Sequence, residues 1–199
     1  MREFLLKFSH DKKRRFYWLF EAKKRFGLRI LNYCITSNHI HLLGIDSGEG
    51  VIAQSMQLIA GRVAHELNQR KGRSVVFWED RYHASAIMEN KYLFQCLQYI
   101  DLNMIRAGVV THPANYSFTG FNEIINPPLR YSLIDREGLI NYCGFNSMDN
   151  FVSNYKKMMN VKSTRISSVK VAKQLFITKA FQILLQSRQQ ADPLHNRHI

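Results

Sequence analysis

Two apolar rhythms alternate along this sequence, and together they predict an α+β fold. Residues 9–26, 52–70 and 90–107 repeat apolar side chains at helical spacing, while 28–36, 39–45 and 82–88 are short runs of strand formers. Turn residues separate the runs: Gly27, Ser37-Asn38, Lys71-Gly72-Arg73 and Pro127-Pro128. With 199 residues, the chain has length for one sizeable core and an appendage.

In chain order, the first predicted helix runs from Ser9, read as its N-cap, to Phe26, with Phe16, Leu19, Phe20 and Phe26 as the apolar stripe. Lys12, Lys13, Arg14 and Arg15 are expected on its exposed surface, and Gly27 ends it. Leu28 to Thr36 reads as a strand, and Ser37-Asn38 as a tight turn. His39 to Ile45 is the returning strand, placing His39, His41 and Leu43 on one face and Ile40 and Leu42 on the other. Ile52, Met56, Ile59, Val63 and Leu67 predict a second helix. Val75–Trp78 and Tyr82–Met88 read as extended. A helix beginning near Asn90 buries Leu93, Leu97, Ile100 and Met104, and ends at Ala107 before Gly108. Short helices follow at Leu133–Cys143 and Met148–Met159, and a basic amphipathic helix at Val171–Leu185. The expected organisation is a domain over 1–145 followed by a basic helical extension over 146–199 that frays at its end.

Charge points to the partner. The 28 Lys and Arg against 15 Asp and Glu give a formal charge of +13, which favours a polyanion. The ends carry the excess: residues 1–30 balance to +7 and 156–199 to +8. Cys34, Cys96 and Cys143 are far apart and odd in number, which fits a reducing cytoplasm. No apolar run approaches membrane-spanning length, and the first residues have too short an apolar stretch for a signal peptide, so a soluble intracellular protein is expected.

Two histidines at i, i+2 on a strand point the same way, and two neutral imidazoles so placed can share one divalent cation. Alone, His39-Ile40-His41 fits a pair of hydrogen-bonded core histidines equally well. The helix near Asn90 adds weight. Tyr99 and Asn103 lie four residues apart on one face, beside the buried seam, and Arg106 continues the line. A tyrosine can serve as covalent nucleophile, an asparagine carbonyl can complete a two-histidine site, and an arginine can hold a phosphate. The plainer alternative makes Tyr99 a boundary aromatic and Asn103 a local hydrogen-bonder.

The run Ser37-Asn38-His39-Ile40-His41-Leu42-Leu43 resembles the His-hydrophobic-His ("HUH") motif of single-tyrosine transposases, and Tyr99-Ile100-Asp101-Leu102-Asn103-Met104-Ile105-Arg106-Ala107-Gly108-Val109 resembles their nucleophile helix. Residues 21–28 and Phe77-Trp78-Glu79-Asp80-Arg81-Tyr82-His83 add two further matching stretches in the right order, closest to the REP-associated tyrosine transposases. The resemblance spans roughly residues 4–145. It implies a ferredoxin-like α/β sandwich with a central antiparallel sheet, acting on single-stranded DNA beside a hairpin, as monomer or homodimer. It also implies that His39, His41 and Asn103 hold Mg²⁺ or Mn²⁺ and that Tyr99 forms a 5′-phosphotyrosine. DNA contacts are expected from Arg106, Lys12, Lys13, Arg14, Arg15, Arg81 and His83. Trp78 and Tyr82 are candidates for stacking on bases.

The sequence departs from the family pattern at Met104, where relatives carry proline after the asparagine, and at Ser37, where they carry proline. The resemblance also implies an opening strand ahead of Phe4-Leu5-Leu6 that this chain lacks, which predicts an exposed sheet edge. Two other readings compete: a DNA-binding remnant without catalysis, and a metal-dependent hydrolase that uses water instead of Tyr99.

Overall fold

The structure is a computed structural model that describes residues 8–37, 39–72, 83–87, 90–168 and 182–186. Its elements alternate as the α+β reading requires. Helix α1 (Ser9–Phe26) is followed by β1 (Arg29–Ile35), β2 (Ile40–Ile45), α2 (Val51–Lys71) and β3 (His83–Ile87). Then come α3 (Asn90–Asp101), α4 (Asn103–Arg106), α5 (Gly120–Ile125), α6 (Arg136–Cys143), α7 (Met148–Ser168) and β4 (Gln182–Gln186). The stretch Val75–Trp78, expected to be extended, lies outside the described residues.

One four-stranded sheet has the order β1-β2-β4-β3. Strands β1 and β2 form an antiparallel hairpin that pairs Cys34 with His41 and Ile35 with Ile40. The register slips between Ile30 and Asn32, so both faces of the hairpin are re-aimed along its length. All of β2 and all but the first residue of β1 are buried, so both faces of the hairpin are covered. Helices α1, α3, α5 and α6 all pack against β1.

The sheet is mixed rather than antiparallel throughout, because β4 runs parallel to both β2 and β3. A short turn can join only antiparallel neighbours, and β1–β2 is the pair so joined. Strand β4 arrives after α3 to α7, a connection long enough to bring the chain back to the same end of the sheet. It corrects one expectation: residues 182–185 are strand rather than amphipathic helix. β2 has partners on both sides, β1 and, along His41–Ile45, Gln182–Gln186.

Helix boundaries show which local signals hold. α1 starts at Ser9 with Phe8 in the cap position and no side-chain cap, so Ser9 is the first helical residue and not the cap. Its end is as expected: Gly27 adopts φ 71° and donates its N–H to the Lys23 carbonyl. Arg15, expected on the surface, is fully buried. The expected helix from Leu133 starts later, because Leu133 and Ile134 run extended beside Ile30. Asp135 then caps α6, accepting the Gly138 N–H at 2.9 Å and pairing with Arg29 at 2.5 Å. Helix α7 runs nine residues past the expected Met159 and buries Phe151, Tyr155 and Met159 in the core. No helix among the described residues is long and apolar enough to cross a membrane.

Gly120, the first residue of α5, lies against β1 where a Cβ would run into Asn32 Oδ1 and reach the Tyr33 amide at 3.2 Å. Asn32 is locked there by bonds to Leu97 O and Tyr33 N. Gly120→Ala should therefore cost about 1–3 kcal/mol in urea unfolding. Gly61→Ala, in an exposed and open stretch of α2, should instead gain roughly 0.5–1 kcal/mol. Equal effects at the two glycines would contradict the close approach at Asn32.

Candidate active site

The turn between β1 and β2 is closed by Thr36. Its N–H and its hydroxyl both donate to the His39 carbonyl, at 2.9 and 3.0 Å, and its Oγ1 accepts the His39 N–H at 3.2 Å. This clasp fixes the backbone of the first histidine immediately before the strand begins. His41 follows inside β2 and is 5% exposed. The two imidazoles meet edge to face, with Nε2 atoms 2.7 Å apart.

The third member comes from the helix pair α3–α4. Asn103 opens α4 and brings its side-chain amide nitrogen to 2.9 Å from His41 Nε2. Which end of an amide faces the histidine is a matter of assignment, and a half-turn about χ2 offers the carbonyl oxygen at the same place. Tyr99, one turn earlier, is 38% exposed and sets its ring edge-on to His41 at 5.8 Å. Arg106 closes the far side, with its guanidinium 5.0 Å from the Tyr99 ring centre and donating to the Tyr99 carbonyl at 3.0 Å. The spacing expected from the sequence thus brings Tyr99 and Asn103 to His41, with Arg106 against Tyr99.

The site's electrostatics favour neutral imidazole. His39 is held down at about 3, first by burial, then by His41 and by the buried Arg15 charge of α1. A neutral ring keeps a lone pair free for a cation. Among the described residues no third His, Cys, Asp or Glu joins the histidine pair, which leaves the Asn103 amide as the third donor at hand. Two ring nitrogens and one amide oxygen suit a borderline-to-hard divalent ion with open positions.

The residues expected to contact DNA divide. Lys13 is exposed on α1, whereas Lys12 and Arg14 are half-buried. Lys12 Nζ lies 5.4 and 5.5 Å from the Tyr116 and Phe118 rings, and Arg14 pairs with Glu66 of α2. Arg15 lies beneath the surface beside His39. Arg81, Trp78 and Tyr82 lie outside the described residues, as does the side chain of His83. The backbone of His83 sits in one register row with Gln182 and His41.

The family model described as "Transposase IS200 like" matches residues 2–103, just over half of the chain. The chain belongs to the IS200-like transposase family. The matched segment of this transposase ends at Asn103, so it holds both histidines, the tyrosine and the asparagine. No curated protein and no solved structure matches the chain.

Sequence reading missed Thr36 and missed the role of Asp101. Asp101 is 2% exposed, on the reverse side of α3 from Tyr99. Its signal was present: an acid at i+4 from Leu97 falls inside the apolar seam. Burial lifts its carboxyl to about 6, against hydrogen bonds from Tyr155, Thr119 and Asn32 that favour the charge. The folded value lies above the unfolded one, so the stability Asp101 adds is complete below about pH 4 and is lost as pH rises through 6. From pH 7 to pH 4, wild type should gain about 2 kcal/mol on Asp101→Asn in urea unfolding. A shift of the opposite sign would show that hydrogen bonding outweighs burial at this carboxyl.

Proposed function

We propose that this transposase nicks and rejoins single-stranded DNA beside hairpins, with Tyr99 as the covalent nucleophile. The observation that carries this reading is the convergence of His39 Nε2, His41 Nε2 and the Asn103 amide on one spot beside the Tyr99 ring. His39, His41 and Asn103 are the residues that would hold Mg²⁺ or Mn²⁺. Bound there, the ion supplies Lewis-acid polarisation of the scissile phosphate. Tyr99 Oη attacks phosphorus, the bond from phosphorus to the 3′-oxygen breaks, and the phenolic proton ends, in net terms, on that oxygen. A 5′-phosphotyrosine and a free 3′-hydroxyl result. The phosphodiester energy is kept in the tyrosyl ester, so attack by a 3′-hydroxyl rejoins the strand without ATP.

The neighbouring charges fit that substrate. Arg106 lies against the tyrosine ring, where its guanidinium is placed to meet a phosphate oxygen. Lys13, and Lys12 over the Tyr116 and Phe118 rings, offer salt-sensitive backbone contacts along α1. The closest motif likeness is to the REP-associated branch, and the unpaired cysteines Cys34, Cys96 and Cys143 fit a cytoplasmic protein.

A labelled hairpin with a single-stranded flank, incubated with the protein and Mn²⁺, should yield a covalent DNA–protein adduct that EDTA suppresses. Tyr99→Phe should lower adduct formation by at least about 1000-fold while hairpin affinity stays within about 2-fold. His41→Ala should lower it by at least about 100-fold. Cleaved DNA without an adduct would move the chemistry to water. Binding without cleavage by the wild-type chain would mark a DNA-binding remnant.

A further inference from the structure

Tyr99 is flanked on its helix by two buried polar residues, Gln98 and Asp101, which are 6% and 2% exposed. They stand three residues apart and so share one face, turned away from the site. Both are held by α7. The Tyr155 hydroxyl donates to Asp101 Oδ2 at 2.5 Å, Lys162 donates to Gln98 Oε1, and Gln98 Nε2 donates to Met158 Sδ. Tyr155, Met158 and Lys162 are themselves at i, i+3 and i+7, one stripe of α7. From the other side, the Thr119 hydroxyl donates to Asp101 Oδ1 at 2.7 Å.

Asp101 is also the last residue of α3, and Asn103 is the first of α4. Leu102 is the joint between them, with helical backbone angles (φ −80°, ψ −1°) and its N–H still donating to the Gln98 carbonyl at 2.9 Å; it stands between the tyrosine that faces the histidines and the asparagine that touches His41. A joint at that point sets two angles at once: where the Tyr99 ring lies, and where the Asn103 amide lies. Burial of the seam Leu93, Leu97 and Ile100 sets which face of α3 turns inward, but the hydrophobic driving force is non-directional and leaves the finer rotation to packing and polar bonds. Two directional bonds to a buried carboxylate can set it.

We propose that Asp101 is a positioning residue for this site, and that α7, outside the family-matched segment, is the element that sets Tyr99 and Asn103 against the histidines. The proposal rests on the transposase reading of the site. Asp101 touches neither phosphate nor metal; it acts through the joint. Gln98 assists from the turn before, so α7 grips the nucleophile helix on both sides of Tyr99.

The test uses the full chain with Thr119→Val and Tyr155→Phe combined, which leaves Asp101 in place but strips its two hydroxyl donors. Single-turnover adduct formation on the labelled hairpin should fall by at least about 10-fold at saturating DNA, with hairpin affinity unchanged. Restoring Thr119 alone should recover part of the rate. The stability control is Ile59→Val, a core change in α2, which packs on α1 and carries none of the donors to Asp101; it should keep the wild-type rate even where it unfolds at lower urea. A second readout needs no catalysis. The Asn103 side-chain amide resonance should move in the double variant, while resonances of the α1–α2 contact stay in place. A wild-type rate or an unmoved Asn103 resonance in the double variant overturns the proposal, as does an equal rate loss in Ile59→Val. Absence of an adduct with wild type overturns the parent reading instead, and the Asn103 resonance then decides the positioning role by itself.

Discussion

Two imidazole nitrogens held 2.7 Å apart, with an amide 2.9 Å from one of them, set the terms for the surrounding structure. β2 is buried along its whole length, and that burial, His41 and the buried Arg15 together lower the His39 pKa and keep its ring neutral. Such a cluster requires that a hairpin and a helix pair far apart in sequence stay in fixed relation. Thr36 fixes the hairpin end of that relation and Asp101 the helix end. In the proposed reading neither residue reacts; each is hydrogen-bonded close in sequence to a proposed site residue.

Much of this was legible in the sequence, because the signals were local. The i, i+2 histidines reported a strand face, the i, i+4 pair Tyr99 and Asn103 reported a helix face, and Gly27 reported a helix end. What sequence could not reveal depends on tertiary partners. Arg14 and Arg15 are adjacent basic residues on α1, yet one pairs with Glu66 and the other is buried, a choice made by α2 and the hairpin. The partners of Asp101 are likewise tertiary: its carboxylate is held by Thr119, the residue before α5, and by Tyr155 of α7, and no spacing in the sequence joins these positions.

The family match ends at Asn103, yet the protein's core does not. Phe151, Tyr155 and Met159 of α7 are fully buried, and Phe94 of α3 packs its ring against Phe145, Phe151 and Tyr155. The matched segment and the residues beyond it meet at one helix, α3, which carries Tyr99 on one face and packs Phe94 into this aromatic cluster on another. α7 thus packs directly on the helix that carries Tyr99 without contributing a residue to the candidate site.

The order of strands has a consequence for how the molecule is made. β2 and β3 are separated in the sheet by β4, whose residues are synthesised about a hundred positions after β3. A chain emerging from the ribosome therefore exposes the N–H and C=O groups along one edge of β2, beside His41, until β4 is released. The hairpin and α1 can form early from local contacts, but the histidine strand gains its second neighbour only when β4 arrives. Closing a sheet through its middle with a strand so distant in sequence is a high-contact-order step, slow relative to helix formation. Pairing along the second edge of the histidine strand therefore comes later than the hairpin itself.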